Sequence, residues 1–315
     1  MATVIKRPAT KPTTTKPASS AASNSASKPA SKPAPIKPVA KPARNPAIRP
    51  AVKPATPVKR ALLIGINYYN TANELSGCIN DVLDTQAYLK STAGFTETVV
   101  LKDSPRDPQM KLKDAPTKQN IMAQIASLVA KTKPGDTLYV HFSGHGSQTR
   151  DVNKDEPDAK DELICPVNLN QAVIKDDELR AALVEKLVPG AKVRVVFDSC
   201  HSGSCLDLVY RLDETLSWQT ELKEETKENL AKDVVFISGC RDNQTSADAS
   251  FQNRANGALT WVFLQCLQDR TKFKQQWTWT QLVTKMRQRI RAEGFDQIPQ
   301  LDVESQAQAS NLVDL

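Results

Sequence analysis

From residue 59 onward, apolar runs alternate with amphipathic stretches. The segment RALLIGINYY opens with a continuous apolar run, which suits a buried strand of a parallel sheet. Gly77 to Lys90 then places Ile79, Val82, Leu83, Ala87 and Leu89 near helical spacing. ETVVLK at 97–102 reads as a second strand, and Thr117 as the N-cap of the helix TKQNIMAQIASLVAK. A third strand, DTLYVHFSG, runs into a glycine-rich turn, and an acid-rich loop follows over 151–162. Asp176 starts the helix DDELRAALVEKL. KVRVVFDSC and DVVFISG are the fourth and fifth strands, and two helices near 257–269 and 279–292 close the chain. Strands alternating with helices predict a mostly parallel sheet covered on both faces, an α/β fold.

Composition separates this part from what precedes it. Residues 1–60 contain nine Lys, four Arg and 12 of the 20 prolines, with no Asp, Glu, Gly, Cys or aromatic residue. The segment therefore carries +13, and the other 255 residues carry −6. Such a tail cannot bury enough apolar surface to offset its ordering entropy. Residues 1–58 are expected to be a disordered Lys/Pro/Ala-rich extension, and 59–315 the folded domain. The tail reads equally as a solubilising spacer or as a binder of an anionic partner or a regulatory pro-segment. The alkaline pI belongs to it, so charge does not support a nucleic-acid-binding globular domain. No run of about 18 apolar residues exists, so no membrane span is predicted. The N-terminus lacks the apolar stretch of a secretory signal, and six scattered cysteines suit a reducing compartment. The cytoplasm is the expected location, with nuclear entry open to a basic tail.

In parallel sheets chemistry gathers at the carboxyl ends of strands. The third strand ends FSGHGSQ, with His145 between two glycines, and the fourth ends FDSCHSGS, with Cys200 directly after buried valines. A thiol and an imidazole on two strand ends suit a Cys–His nucleophile pair, with the N–H groups of Gly146 and Cys200 as oxyanion donors. His141 lies mid-strand and reads as a core residue. His201 adjoins Cys200, and its side chain points away from that thiol. On spacing alone, catalysis stands beside packing, metal binding and chance, and no CxxC or HxxxH supports zinc.

The ordered series FSGHGSQ, DELICPV, DDEL, FDSCHSGS, ISGCRDNQTSAD and GALT resembles the metacaspases, caspase-like cysteine peptidases, over roughly residues 58–290. The short connection before ISGC and the Pro-rich extension look most like the type I arrangement, without its zinc-finger prodomain. The resemblance implies a caspase-like three-layer sandwich. It divides the domain into a large-subunit-like part at 59–211, a linker at 212–232 and a small-subunit-like part at 233–315. Cys200 matches the nucleophile and His145 the general base. Cleavage after Arg or Lys is implied, with Asp81, Asp198, Ser143 and Cys78 at positions that line the specificity pocket. Read alone, Asp81 is a helix N-terminal charge, Asp198 a strand-end cap and Cys78 a buried apolar thiol.

Many relatives are activated by calcium, and the matching ligand positions are Asp161, Asp176, Asp177 and Asp207. Read alone, these acids are a solvated loop. Where relatives carry PVD, this chain has Pro166-Val167-Asn168, one charge fewer. Self-cleavage is expected at basic residues of flexible stretches: Arg60 at the tail boundary, Arg211 just before the linker, and Lys223, Lys227 and Lys232 within it. The other reading of 219–232 is a charged amphipathic helix. The resemblance further implies protein substrates and a monomer. The rival from another class is a catalytically silent scaffold whose basic tail recruits an anionic partner.

Overall fold

A computed structural model describes residues 56–107, 109–150, 160–200, 202–220, 232–239, 248–251 and 254–315. All lie in the unit Pro54–Leu315. The expectation of a disordered tail falls almost wholly outside the described residues.

The first half of the domain builds β1 (Lys59–Gly65), α1 (Cys78–Ser91), β2 (Glu97–Lys102), α2 (Lys118–Lys131) and β3 (Thr137–Ser143). A small sheet follows, of β4 (Gly146–Arg150), β5 (Lys160–Ile164) and β6 (Ile174–Lys175). Then come α3 (Asp176–Arg180), continued by a π-helical turn over Ala181–Glu185, and β7 (Lys192–Asp198). The second half contains β8 (Tyr210–Leu212), β9 (Trp218–Thr220), β10 (Asp233–Ser238), β11 (Asp248–Phe251) and β12 (Arg254–Gly257). It closes with α4 (Ala258–Lys272), α5 (Trp279–Ala292), β13 (Gln300–Val303) and α6 (Gln306–Ala309).

The main sheet has eight strands in the order β2-β1-β3-β7-β10-β13-β8-β9. The first five are parallel and the last three antiparallel. Alternating strand residues feed two cores, as the period-2 geometry of a strand requires. Ala61, Leu63, Tyr139, Val196 and Val235 pack with α1, α4 and α5 on one face. Leu62, Ile64, Val140, Val195 and Phe236 pack with α2 and the α3 segment on the other. The result is the three-layer caspase-like sandwich. None of the described helices is long and apolar enough to cross a membrane.

All five expected strands and the expected helices are present, and Thr117 accepts the Asn120 N–H at the start of α2. Such a cap contributes about 1 kcal/mol. In α1 the inward stripe is Cys78, Asp81, Val82, Thr85, Tyr88 and Leu89, whereas Leu83 and Ala87 face solvent. Counting apolar residues misjudged this face because two of its buried positions, Asp81 and Thr85, are polar. Asp161 and Glu162, expected in a loop, belong to β5. The chain does not end on two helices, since β13 and α6 follow. Residues 219–220 of the stretch weighed as a helix belong to strand β9, paired to β8 at the sheet edge.

Arg60 overturns the expectation that it is an exposed cleavage point. It is the second residue of β1, is 8% exposed, and pairs in register with both β2 and β3. Its guanidinium bonds Asp136 at 2.7 Å and Glu97 at 3.1 Å. The apolar run simply begins earlier than the tail's composition suggests. Arg211 is likewise held in β8 by Asp302 at 2.7 Å. Lys232 donates to the carbonyls of Glu185 and Leu187. Lys223 and Lys227 lie outside the described residues.

Candidate active site

The carboxyl ends of β3 and β7 lie side by side, with Ser143 opposite Asp198 in the register. The N-terminal turn of α1 brings Asp81 to the same place. Asp81 is fully buried. Its carboxylate accepts from the Ser143 hydroxyl at 2.7 Å, the Asn256 amide at 3.1 Å and the Gly257 N–H at 3.0 Å. None of these donors is a cation. Asp198, 4% exposed, accepts the Thr260 N–H at 2.8 Å, so the start of α4 is aimed at the pocket. Burial and the adjacent Asp198 push the Asp81 carboxyl well above the ordinary carboxylate range, while the three donors pull it back. Gly257 fits between the two carboxylates because it has no side chain: a Cβ there would overlap Asp198 and lie 2.8 Å from an Asp81 oxygen. Cys78 is buried one turn before Asp81.

His145 begins the turn after β3. Its Nε2 lies 2.8 Å from the Asn73 carbonyl oxygen. A carbonyl only accepts, so Nε2 carries a proton, and in the neutral ring the lone pair is then on Nδ1. The next residue, Gly146, lies so close to Cys200 that a Cβ would overlap the Cys200 carbonyl oxygen. The Cys165 N–H donates to the His145 carbonyl, which directs that edge of the strand toward β5. Successive N–H groups of a strand point to opposite sides, so the Gly146 N–H points away from β5. Cys200 is half-buried and forms no disulfide. Cys165, at the end of β5, is pushed up to about 11, chiefly by burial and then by Cys200. His141 is fully buried between the Tyr139 hydroxyl at 3.2 Å and the Thr260 hydroxyl at 3.4 Å. Burial lowers it to about 3, so it is a neutral core residue, as its mid-strand position suggested. His201 lies outside the described residues.

Three of the four expected calcium positions come together: one carboxylate oxygen each of Asp176, Asp177 and Asp207 lie within 4.8 Å of one another. A set of hard, anionic oxygens fits calcium. Asp176 is pushed up to about 6, first by burial and also by Asp161 and Asp177. Asp161 itself is buried and ion-paired with Lys175, so the chain supplies its own cation at this position. Asn168, in place of the relatives' Asp, accepts the first N–H of α2 at 3.2 Å.

Several residues of the site have no counterpart in the sequence reading. Asn256 precedes the GALT motif, so its place next to a quoted motif was the available signal. The Asn73 carbonyl is backbone and leaves no trace in residue type. Lys175 precedes DDEL, but only the β5–β6 pairing brings it opposite the Asp161 segment.

Residues 59–209 match the family model described as Metacaspase, peptidase C14 domain. The chain is 36% identical over 299 residues to Metacaspase-1 of Ajellomyces capsulatus, covering 78% of this chain and 80% of that protein. It is 37% identical over 299 residues to Metacaspase-1A of Aspergillus oryzae, covering 78% and 68%. Among solved structures, protein GSU0716 of Geobacter sulfurreducens is similar with a TM-score of 0.58 and 25% identity, covering 82% of this chain and 98% of that one.

Proposed function

This chain belongs to the metacaspase family of cysteine peptidases, and from that premise we propose that it cleaves peptide bonds after Arg or Lys using Cys200 and His145. The observation that carries the specificity is the pair of buried carboxylates, Asp81 and Asp198, with no cation among the donors to Asp81 that the described residues supply. Two like charges in a desolvated pocket repel, and a guanidinium or ammonium entering beside them relieves that repulsion. A neutral or acidic side chain does not. Ser143 and Cys78 form part of the pocket wall.

In the proposed cycle, Nδ1 of His145 takes the Cys200 proton and the thiolate attacks the carbonyl carbon after Arg or Lys. The developing oxyanion accepts from the N–H groups of Gly146 and Cys200. His145 returns the proton to the leaving amine, and water releases the acyl group from the sulfur. The Asn73 carbonyl keeps the imidazole in the required tautomer throughout.

Asp176, Asp177 and Asp207 would hold an activating calcium ion, with Asp161 joining them once it leaves Lys175. The ion's part is to neutralise these carboxylates and order the segments that lead to Cys200. Self-processing is assigned to Lys223 or Lys227, since Arg60 is inside the sheet. The reading takes the enzyme to be a monomer, as the resemblance implies. The reading places the enzyme in the cytoplasm, with the basic tail free to meet an anionic partner.

The test is hydrolysis of fluorogenic peptides ending in Arg, Lys or Asp, with and without calcium, against Cys200→Ala. Calcium-dependent turnover of the Arg and Lys peptides that the mutant lacks is expected. Turnover of the Asp peptide instead would overturn the pocket assignment, and silence from a folded wild type would favour a scaffold. Sequencing new N-termini after calcium addition checks self-processing.

A further inference from the structure

The antiparallel ladder of β4 and β5 ends on the pair Gly146–Ile164, and the next pair along is His145–Cys165. A hydrogen-bonded pair of this kind exchanges two N–H···O bonds. One is made, from the Cys165 N–H to the His145 carbonyl at 3.0 Å. The other is interrupted. The His145 N–H donates to the Tyr68 hydroxyl at 2.9 Å, and that hydroxyl donates to the Cys165 carbonyl at 2.6 Å. A single phenol oxygen is thus inserted into the ladder at His145. The ring of Tyr68 also lies against the imidazole, with centroids 4.7 Å apart and planes tilted by 40°. Tyr68 is 1% exposed, and its φ of 51° is in the left-handed region that non-glycine residues seldom adopt. Its surroundings hold it there against local preference, a pattern that gathers at functional sites.

We propose that Tyr68 is the positioning residue of the general base: its hydroxyl wedges the ladder open at His145 while its ring sets the plane of the imidazole. The inference rests on the assignment of His145 to that role. With the wedge removed, the His145 N–H can reach the Cys165 carbonyl directly. The backbone then closes onto β5, and the imidazole shifts relative to both Cys200 and the Asn73 carbonyl. Asp81 and Asp198 belong to α1 and β7, and their bonds to Ser143 and Thr260 do not run through Tyr68, so substrate binding is spared.

Tyr68→Phe keeps the ring and removes the wedge. In Arg-peptide turnover, kcat should fall about 10–100-fold, the scale of a misplaced catalytic group, with KM within about twofold. The second readout is alkylation of Cys200 by iodoacetamide across pH, which needs no substrate. The groups facing this site are Tyr68 itself, Cys165 at the end of β5, Cys78 on α1 and Asp103 after β2. Burial keeps Tyr68 and Cys165 protonated, so they stay silent in the neutral range. Wild type should stay reactive below the pH of about 8.5 at which a free thiol ionises. His145→Ala should lose that reactivity and Tyr68→Phe should move toward His145→Ala. A Tyr68→Phe enzyme with wild-type kcat and alkylation profile overturns the proposal. So does a chain that fails to fold, or one that loses kcat and melting temperature together with an unchanged profile, since both mean packing alone. If wild type alkylates as expected but does not cleave Arg peptides, the specificity reading fails, and the alkylation profile still decides the role of Tyr68.

Discussion

Replacing Asp81 by Asn removes one pocket charge at nearly constant shape. Truncating one partner of a desolvated charge pair costs about 3–5 kcal/mol, or roughly 10²–10⁴-fold in kcat/KM. Asp198 keeps part of the attraction, so about 10²-fold is expected, at the lower end of that range. The loss must be specific to charge. It is therefore read as the ratio of kcat/KM for an Arg peptide to that for its citrulline isostere, with Cys200→Ala as blank. Stability moves differently. The folded-state pKa of Asp81 is raised by burial and by Asp198, so the carboxylate favours folding when protonated. That contribution is full below the unfolded value of about 3.9 and is lost as pH rises through the folded value. Above the folded value the ionised group opposes folding, and Asn relieves this, although its own amide hydrogens then confront the donors Gly257 and Asn256. The variant should thus lose about 10²-fold in the Arg/citrulline ratio while melting within a few degrees of wild type at pH 8. A ratio within threefold of wild type would refute the pocket argument.

Other consequences are accessible to simple measurements. Arg60→Ala should destabilise by about 3 kcal/mol in urea unfolding, because it leaves the buried Asp136 without its cation and with only the Val58 and Lys133 N–H donors, and N-terminal sequencing of native protein should find no cut after Arg60. His141 is held neutral in the fold, so stability is full above its unfolded pKa of about 6.5 and declines below it, by about 2 kcal/mol at pH 5. His141→Gln should flatten that part of the pH–stability curve, and an unchanged slope would assign it to other groups. Lys175→Met should raise affinity for terbium, a luminescent calcium substitute, about 3–10-fold by freeing Asp161, the scale of a partly exposed ion pair. Equal affinity would mean that Asp161 takes no part.

How much was legible is clearest in α1. The 3.6-residue pattern located the helix between Gly77 and Lys90, yet the inward face includes Asp81, which apolar counting treats as a solvent position. Only the motif series pointed to Asp81 as a pocket residue, and only the tertiary structure supplies its donors, two of which come from residues about 175 positions away. The acid cluster shows the same division. Asp176, Asp177 and Asp207 converge as the family pattern implied, whereas Asp161 is drawn to Lys175 by a strand pairing that no local signal carries. Very short strands such as β6, β8 and β9 have too few residues to display a period.

By itself the sequence determined the α/β alternation, the parallel strands and the strand ends that carry His145 and Cys200, because burial of consecutive residues leaves a local periodic record. The tertiary structure alone decided which charges are paired. It placed Arg60 inside the sheet, set Lys175 against Asp161 and inserted the Tyr68 hydroxyl into the ladder at His145. Those choices depend on contacts between segments 14 to 77 residues apart, where no periodicity survives and only the packed geometry selects a partner.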